Sequence, residues 1–182
     1  DGTEIKEPVR VSDVSYEELM RYDAGIAMGA AFRGTRIPRL DELLCAAEGR
    51  DVTIALDKKI RTEAMEPLLD AVCRYRTRVS FSTSDTERIR YVQARIPDAA
   101  FDYDVRLEDA ALTEVCRLVR GDRLTIWMYL DRPNFAWLAP IAKVSDENFA
   151  RVKAYGRVGI ANIRNPADVF DALRYAPDVI EL

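Results

Sequence analysis

The sequence predicts an α/β fold whose strands form a parallel sheet. Short apolar runs alternate with amphipathic helical patterns, each about a dozen residues long, as in βαβ units. No glycine-rich phosphate loop follows any run, which disfavours a nucleotide-binding Rossmann fold. About six strands in 182 residues fit two architectures. One is a (β/α) barrel that lacks roughly its first two βα units, and the other is a complete, open doubly wound sheet.

Two helices are predicted before the first strand. A capping box at Ser15 predicts a short helix that ends at Gly25. Pro38 begins a second helix, which carries apolar residues on one face and ends at Gly49. Residues 52–57 (VTIALD) then form the first strand, because the run is apolar and partly β-branched.

The rest of the chain repeats this alternation. Apolar runs predict five further strands at residues 78–82, 100–105, 124–130, 158–163 and 178–182. Apolar residues at helical spacing predict the helices that precede these strands, at residues 65–73, 85–96, 112–119, 145–155 and 166–173. Each of these helices therefore buries one stripe, as expected for helices that cover a sheet.

The composition indicates one globular domain, residues 1–182. The hydrophobic fraction of 48% and the charged fraction of 32% are ordinary for a globular protein. A formal net charge of -4 lacks the basic excess of a duplex binder, so we expect no nucleic-acid partner. No apolar run approaches the roughly 20 residues of a membrane-spanning helix.

Cysteine and histidine usage restricts the chemistry further. Cys45, Cys73 and Cys116 form no CxxC pair, and the first two occupy apolar positions of helical patterns. We therefore expect buried free thiols, which favours a reducing compartment such as the cytoplasm. The 182 residues include no histidine, so they supply no imidazole acid, base or metal ligand.

An acid and a lysine follow the first predicted strand at a spacing of two. Because side chains alternate along a strand, Asp57 and Lys59 project on the same side as Ala55. The carboxyl ends of parallel strands are where a (β/α) barrel keeps its reacting groups. The alternative is a strand that runs into a solvated, charged turn.

Three segments, in this order, resemble the glycerophosphodiester phosphodiesterase family. They are residues 11–25 (VSDVSYEELMRYDAG), residues 36–44 (RIPRLDELL) and residues 56–59 (LDKK), the last being similar to the end of the family's third strand. Later strands of the family are similar to residues 79–81, 159–162 and 177–181.

The resemblance implies a partial TIM (β/α)8-type barrel. Residues 1–182 would supply the third to eighth strands of a single phosphodiesterase-type domain. The chain would then be an N-terminally truncated member, whose His-Arg pair and acidic metal pair lie upstream of Asp1.

The resemblance also assigns roles to individual residues. Asp57 would be a metal ligand, shorter by one methylene than the family's usual glutamate, and Lys59 would be the catalytic cation at the phosphate. Asn162 would bind substrate, while Gly159 replaces a tryptophan of the family. Trp127, one strand earlier, is a candidate wall of the substrate pocket, and the alternative is a core aromatic residue.

The implied reaction is metal-dependent hydrolysis of a glycerophosphodiester to an alcohol and glycerol 3-phosphate. The cofactor would be Ca²⁺ or Mg²⁺, bound weakly or not at all here, because one carboxylate is far from the six or so oxygens that such a cation takes. The full-length protein would be the hydrolase. The 182-residue chain is expected to be inactive, since the family's two acid–base histidines are missing.

Two alternatives and one partner complete the expectations. Besides the hydrolase, one alternative is a non-catalytic barrel relative that serves as a binding or interaction module. The other alternative is an unrelated open α/β domain with a solvated strand end. A barrel without two strands has open parallel edges, which favour a homo-oligomer.

Overall fold

The computed structural model describes residues 10–61, 64–131 and 138–181, so Asp1 lies outside the described residues. The chain forms two compact units, residues 1–46 and residues 47–182.

The elements of the first unit are short. They are three 3₁₀ turns, at Val11–Asp13, Ile26–Met28 and Ala30–Phe32, together with helix α1 (Tyr16–Leu19) and most of helix α2 (Leu40–Ala47). The capping box is confirmed: the Ser15 hydroxyl accepts the Glu18 N–H at 3.2 Å, and the Glu18 carboxylate accepts the Ser15 N–H at 2.7 Å. The predicted end of α1 at Gly25 is wrong. Gly25 lies in a turn instead, where an added Cβ would come 1.9 Å from the backbone oxygen of Phe32.

Strands and helices alternate through the second unit. Its elements are β1 (Thr53–Leu56), α3 (Met65–Arg74), β2 (Arg78–Thr83), α4 (Thr86–Arg95), β3 (Ala100–Tyr103), α5 (Asp109–Leu118), β4 (Leu124–Tyr129), α6 (Asp146–Lys153), β5 (Arg157–Ala161), α7 (Pro166–Leu173) and β6 (Val179–Ile180). Within the described ranges, no helix has the length and apolar content needed to cross a membrane.

The order of the strands decides between the two predicted architectures. The sheet has six strands in the order β1-β2-β3-β4-β5-β6, and every neighbouring pair is parallel. A doubly wound sheet reverses its strand order at a switch point, whereas the strands of a (β/α) barrel follow one another around the axis. The partial barrel is therefore confirmed, and the open doubly wound sheet is wrong.

The alternation along β4 shows how the sheet separates its two faces. Leu124, Ile126 and Met128 are at most 1% exposed, and they point towards the covering helices. The buried side chains of those helices include Leu69, Ile89, Val92, Leu112, Val115 and Val152. The intervening residues of β4 are half-buried, because they point towards the concave side of the partial barrel.

The prediction of buried thiols is wrong for two of the three cysteines. Cys45 and Cys73 are exposed, and Cys116 is half-buried. Cys45 and Cys73 each follow a core residue, Leu44 or Val72, and one residue turns a helix by about 100°. That rotation carries each thiol off the buried stripe. The partial burial of Cys116 raises the pKa of its thiol.

Helix α7 also buries a different face from the one that its apolar residues suggest. Phe170 and Leu173 are 72% and 52% exposed, whereas Asp168 and Ala172 are buried. The Asp168 carboxylate accepts the backbone N–H of Arg164 at 2.9 Å, so its burial is compensated.

Candidate functional site

The segment that follows β1 carries the first predicted site residues. Asp57 and Lys59 form a salt bridge with an N–O distance of 3.2 Å, and their side chains are 58% and 87% exposed. An ion pair with this exposure contributes little to stability. Both groups are therefore open to a ligand at the carboxyl end of the strand.

Lys58, between these two residues, extends in a different direction. Its ammonium donates to both carboxylate oxygens of Asp104, at 2.7 and 2.6 Å. Asp104 follows β3 directly and its side chain is only 11% exposed. The ion pair thus links the end of β1 to the end of β3, across β2.

Tyr129, the last residue of β4, completes this cluster. Its hydroxyl donates to the Asp104 carboxylate at 2.7 Å. Burial, followed by the hydrogen bond to Asp104, raises the pKa of Tyr129 far above its ordinary value. The negative charges of Glu181 and Asp57 raise the pKa of Tyr129 further. Tyr129 consequently remains a hydrogen-bond donor at every physiological pH.

Trp127 belongs to a second polar cluster on the concave face. Its indole N–H donates to Asp102 at 2.9 Å, and the Ser80 hydroxyl donates to the other oxygen of the same carboxylate. These residues line a concavity of about 800 Å³ together with Ala55 and Thr125. The indole N–H of Trp127 is therefore already hydrogen-bonded within the protein, while its ring lines the concavity.

Gly159 makes room for that ring. A Cβ at this position would lie 2.6 Å from Cε3 of Trp127, 2.7 Å from Cζ3 and 2.8 Å from Cδ2. Gly159 thus accommodates a tryptophan from the neighbouring strand.

Asn162 follows β5 and has a left-handed backbone, with φ of 71°. Its side-chain amide donates to the Leu130 carbonyl at 3.2 Å, and its carbonyl oxygen accepts from Nε of Arg164 at 3.1 Å. Asparagine tolerates this backbone region better than most residues. The side chain joins the ends of β4 and β5 and orients an exposed guanidinium.

Four of the residues in these clusters were missed by the sequence reasoning: Lys58, Asp102, Asp104 and Tyr129. A signal was present, because residues 100–104 read AFDYD and place two acids on one side of a strand. The rule that singled out Asp57 at the end of one strand also applies to Asp104 and Tyr129 at the ends of two others. That Lys58 contacts Asp104 depends on tertiary folding.

A divalent cation finds no complete ligand set in the described part of the chain. There, no three His, Cys, Asp or Glu residues are grouped so that they could hold a metal ion. Asp57 is bonded to Lys59, and Asp104 is bonded to Lys58 and Tyr129. Ca²⁺ takes about six to eight oxygen ligands. The described residues do not fit such an ion by themselves.

Comparisons with known proteins agree with the fold. No protein-family model and no curated protein matches the chain. A glycerophosphoryl diester phosphodiesterase from Parabacteroides distasonis ATCC 8503 is similar in structure, with a TM-score of 0.69 and 18% identity over 97% of this chain and 62% of that one. A candidate glycerophosphodiester phosphodiesterase from Galdieria sulphuraria has a TM-score of 0.68 and 19% identity, over 95% of this chain and 68% of that one.

The chain thus spans 62–68% of the length of these two structural neighbours. Both have the family name that the motifs suggest, and both align over nearly all of this chain. The resemblance predicted from the motifs is therefore confirmed at the level of the fold.

Proposed function

We propose that this chain carries the phosphodiester-binding part of a glycerophosphodiester phosphodiesterase-type barrel. The observation that supports this most directly is the exposed Asp57–Lys59 pair at the carboxyl end of β1, the end where barrels keep their reacting groups. The motif resemblance assigns phosphate and metal contact to the same two residues.

The proposed reaction of the full-length protein is hydrolysis of a glycerophosphodiester, a reaction of lipid and glycerol metabolism. The oxygen of a water molecule bonds to phosphorus and the P–O bond to the alcohol breaks. One water proton passes to the leaving alcohol oxygen, and glycerol 3-phosphate remains. The ammonium of Lys59 contacts a phosphate oxygen and stabilises the negative charge that develops there. Trp127 and Asn162 are the proposed substrate-binding residues.

Asp57 is the proposed metal ligand, and Ca²⁺ or Mg²⁺ is the proposed cofactor of the full-length protein. Such a cation would offset charge on the phosphate oxygens. One carboxylate binds it weakly, since each of these ions prefers several oxygen ligands. The 182 residues also supply no histidine for proton transfer. The proposed role of this chain alone is therefore to bind the phosphodiester without turnover.

A non-catalytic binding module is the second candidate. The Lys58–Asp104 ion pair supports it, because an internal ammonium already neutralises a carboxylate at the carboxyl ends of the strands. Two assays test whether this chain hydrolyses or binds a phosphodiester. Glycerophosphocholine with Ca²⁺ is the substrate in an assay of hydrolysis by ³¹P NMR, and glycerol 3-phosphate is the probe in calorimetric binding.

We expect binding of glycerol 3-phosphate that depends on Lys59. Lys59→Gln should weaken the affinity about ten-fold or more, because a hydrogen bond to a charged group contributes about 1.5–3 kcal/mol. Lys153→Gln is the matched control, because Lys153, the last residue of α6, forms its ion pair with Asp178 instead. Equal affinities for the unmodified chain and Lys59→Gln would contradict the proposal. Hydrolysis by the unmodified chain would contradict the part that calls it inactive.

We also propose a homo-oligomer that forms through the sheet edges. Among the described strands, β1 and β6 each pair with one neighbour, so each has an edge that another strand can extend. Light scattering should give a mass of two or more chains at high concentration. The mass of a single chain under those conditions would contradict this proposal.

A further inference from the structure

The loop of residues 57–61, between β1 and α3, is bound to the rest of its unit from two sides. On one side, the Lys58 ammonium is bonded to both oxygens of Asp104. The Tyr129 hydroxyl also donates to Asp104, so the carboxylate is held from a second direction. This ion pair is partly buried, with the Lys58 side chain 35% and the Asp104 side chain 11% exposed, and a charge-assisted hydrogen bond is stronger there than at the surface.

On the other side, Arg88 of α4 binds the backbone of the same loop. One terminal nitrogen of its guanidinium donates to the Lys58 carbonyl at 2.8 Å, and the other donates to the Ile60 carbonyl at 2.9 Å. The planar fork of a guanidinium suits two acceptors at a fixed spacing, whereas a lysine ammonium is a point donor. Arg88 therefore fixes the backbone over three successive residues of the loop.

The consequence concerns the residues on either side of Lys58. Asp57 and Lys59 make their own exposed ion pair and do not share the inward path of Lys58. A loop held at its backbone and at its central side chain loses little further freedom when a ligand binds to the flanking residues.

We propose that Arg88, Lys58 and Asp104 are positioning residues, which hold the loop so that Asp57 and Lys59 face the phosphodiester. This inference rests on the proposed function for the identity of the ligand. It assigns to Lys58 a different role from Lys59, although the two are adjacent lysines.

Amide hydrogen exchange of the full chain tests whether the loop is held. Arg88→Gln should speed exchange by about ten-fold or more in peptides that cover this loop and the end of β1, residues 54–61. The two lost hydrogen bonds go to loop carbonyls, so the released loop frays the paired amides at the end of β1. Arg95→Gln is the matched control, because Arg95 lies on the same helix and pairs with Glu66 and Asp70. Equal exchange of this loop in the two variants would overturn the proposal.

Asp104→Asn is a second variant that should loosen the loop, independently of Arg88. It keeps the side-chain shape, removes the charge that holds Lys58, and should give the same local increase in exchange. If Arg88→Gln fails to fold, this variant decides the question, and unchanged exchange in the loop would overturn the proposal.

A double-mutant cycle tests whether the loop is held for ligand binding. With calorimetric binding of glycerol 3-phosphate as the readout, Arg88→Gln should weaken affinity about five- to ten-fold when Lys59 is present, and less than about two-fold in a Lys59→Gln background. Equal losses in both backgrounds would show a general structural role and overturn the proposal.

The proposed function can fail separately from this inference. If Lys59→Gln leaves the affinity of the unmodified chain unchanged, the ligand assignment is wrong. The exchange experiment still decides whether Arg88 and Asp104 hold the loop.

Discussion

Gly159→Ala adds a methyl group where the Trp127 ring lies. The new Cβ would come within 2.8 Å of three ring carbons, the nearest at 2.6 Å. Carbon atoms in contact are normally about 3.5–4.0 Å apart, so the ring or the strand must move by close to an ångström. The hydrogen bond from its N–H to Asp102 restrains the ring.

The expected cost follows from these contacts. Overpacking a well-packed position costs about 1–3 kcal/mol. If the ring swings away, the Asp102 carboxylate also loses a hydrogen bond, and leaving such a group unsatisfied costs about 1–3 kcal/mol more. We therefore expect Gly159→Ala to lower the free energy of unfolding by about 1–3 kcal/mol if the ring shifts and keeps its hydrogen bond, and by about 2–6 kcal/mol if that bond is lost.

Urea unfolding monitored by far-UV circular dichroism measures this free energy, and tryptophan fluorescence reports the environment of the ring. Gly121→Ala is the control, because no heavy atom lies within 4 Å of a Cβ there and φ is not positive. It should change stability by less than about 0.5 kcal/mol. Trp127→Leu should relieve the clash, so Gly159→Ala should cost less in that background than in the native one. The reasoning is refuted if Gly159→Ala is as stable as Gly121→Ala and has native fluorescence.

Two further predictions concern the core and the acid limit of stability. Ile126→Ala should lower the free energy of unfolding, measured in urea, by about 2–5 kcal/mol, because the side chain is fully buried. Phe170→Ala should be nearly neutral, because that side chain is exposed. Similar losses of stability in the two variants would contradict the assigned core. The hydrogen bond from Lys153, and then that from the Val158 N–H, hold the pKa of Asp178 below its ordinary 3.8. Its stabilising effect is therefore present above pH 3.8 and is lost as pH falls through the folded-state pKa. The stability difference between the native chain and Asp178→Asn should shrink below about pH 4, and a difference that grows on acidification would contradict this.

Features that depend on near neighbours in the chain were predictable. The Ser15 capping box forms between residues three apart, and it is present as predicted. The alternation of β4 follows from strand geometry alone, so its buried and concave faces could be assigned from the pattern of apolar residues. The six parallel strands follow from the length of the helical stretches between apolar runs.

The wrong predictions of burial concern residues at the edge of a helix's apolar stripe. Cys45 and Cys73 lie one position past a buried residue, and about 100° of rotation per residue places them in solvent. On α7 the apolar Phe170 is exposed, while the acidic Asp168 is buried because a backbone N–H satisfies it. Burial of a polar group depends on its hydrogen-bond partner, which no hydropathy pattern includes.

The sequence placed Asp57 and Lys59 directly after the first strand, but β1 ends at Leu56 and residues 58 and 59 lie in a turn, so their ion pair is not a result of strand alternation. The direction of Lys58 was decided by Asp104, which is 46 residues away in sequence and lies two strands along the sheet. The fit of Trp127 over Gly159 likewise arises only when β4 and β5 pair in their observed register. Local periodicity therefore determined which residues reach the carboxyl edge of the sheet. Tertiary folding chose their partners, because strand order and register bring together groups that are distant in sequence.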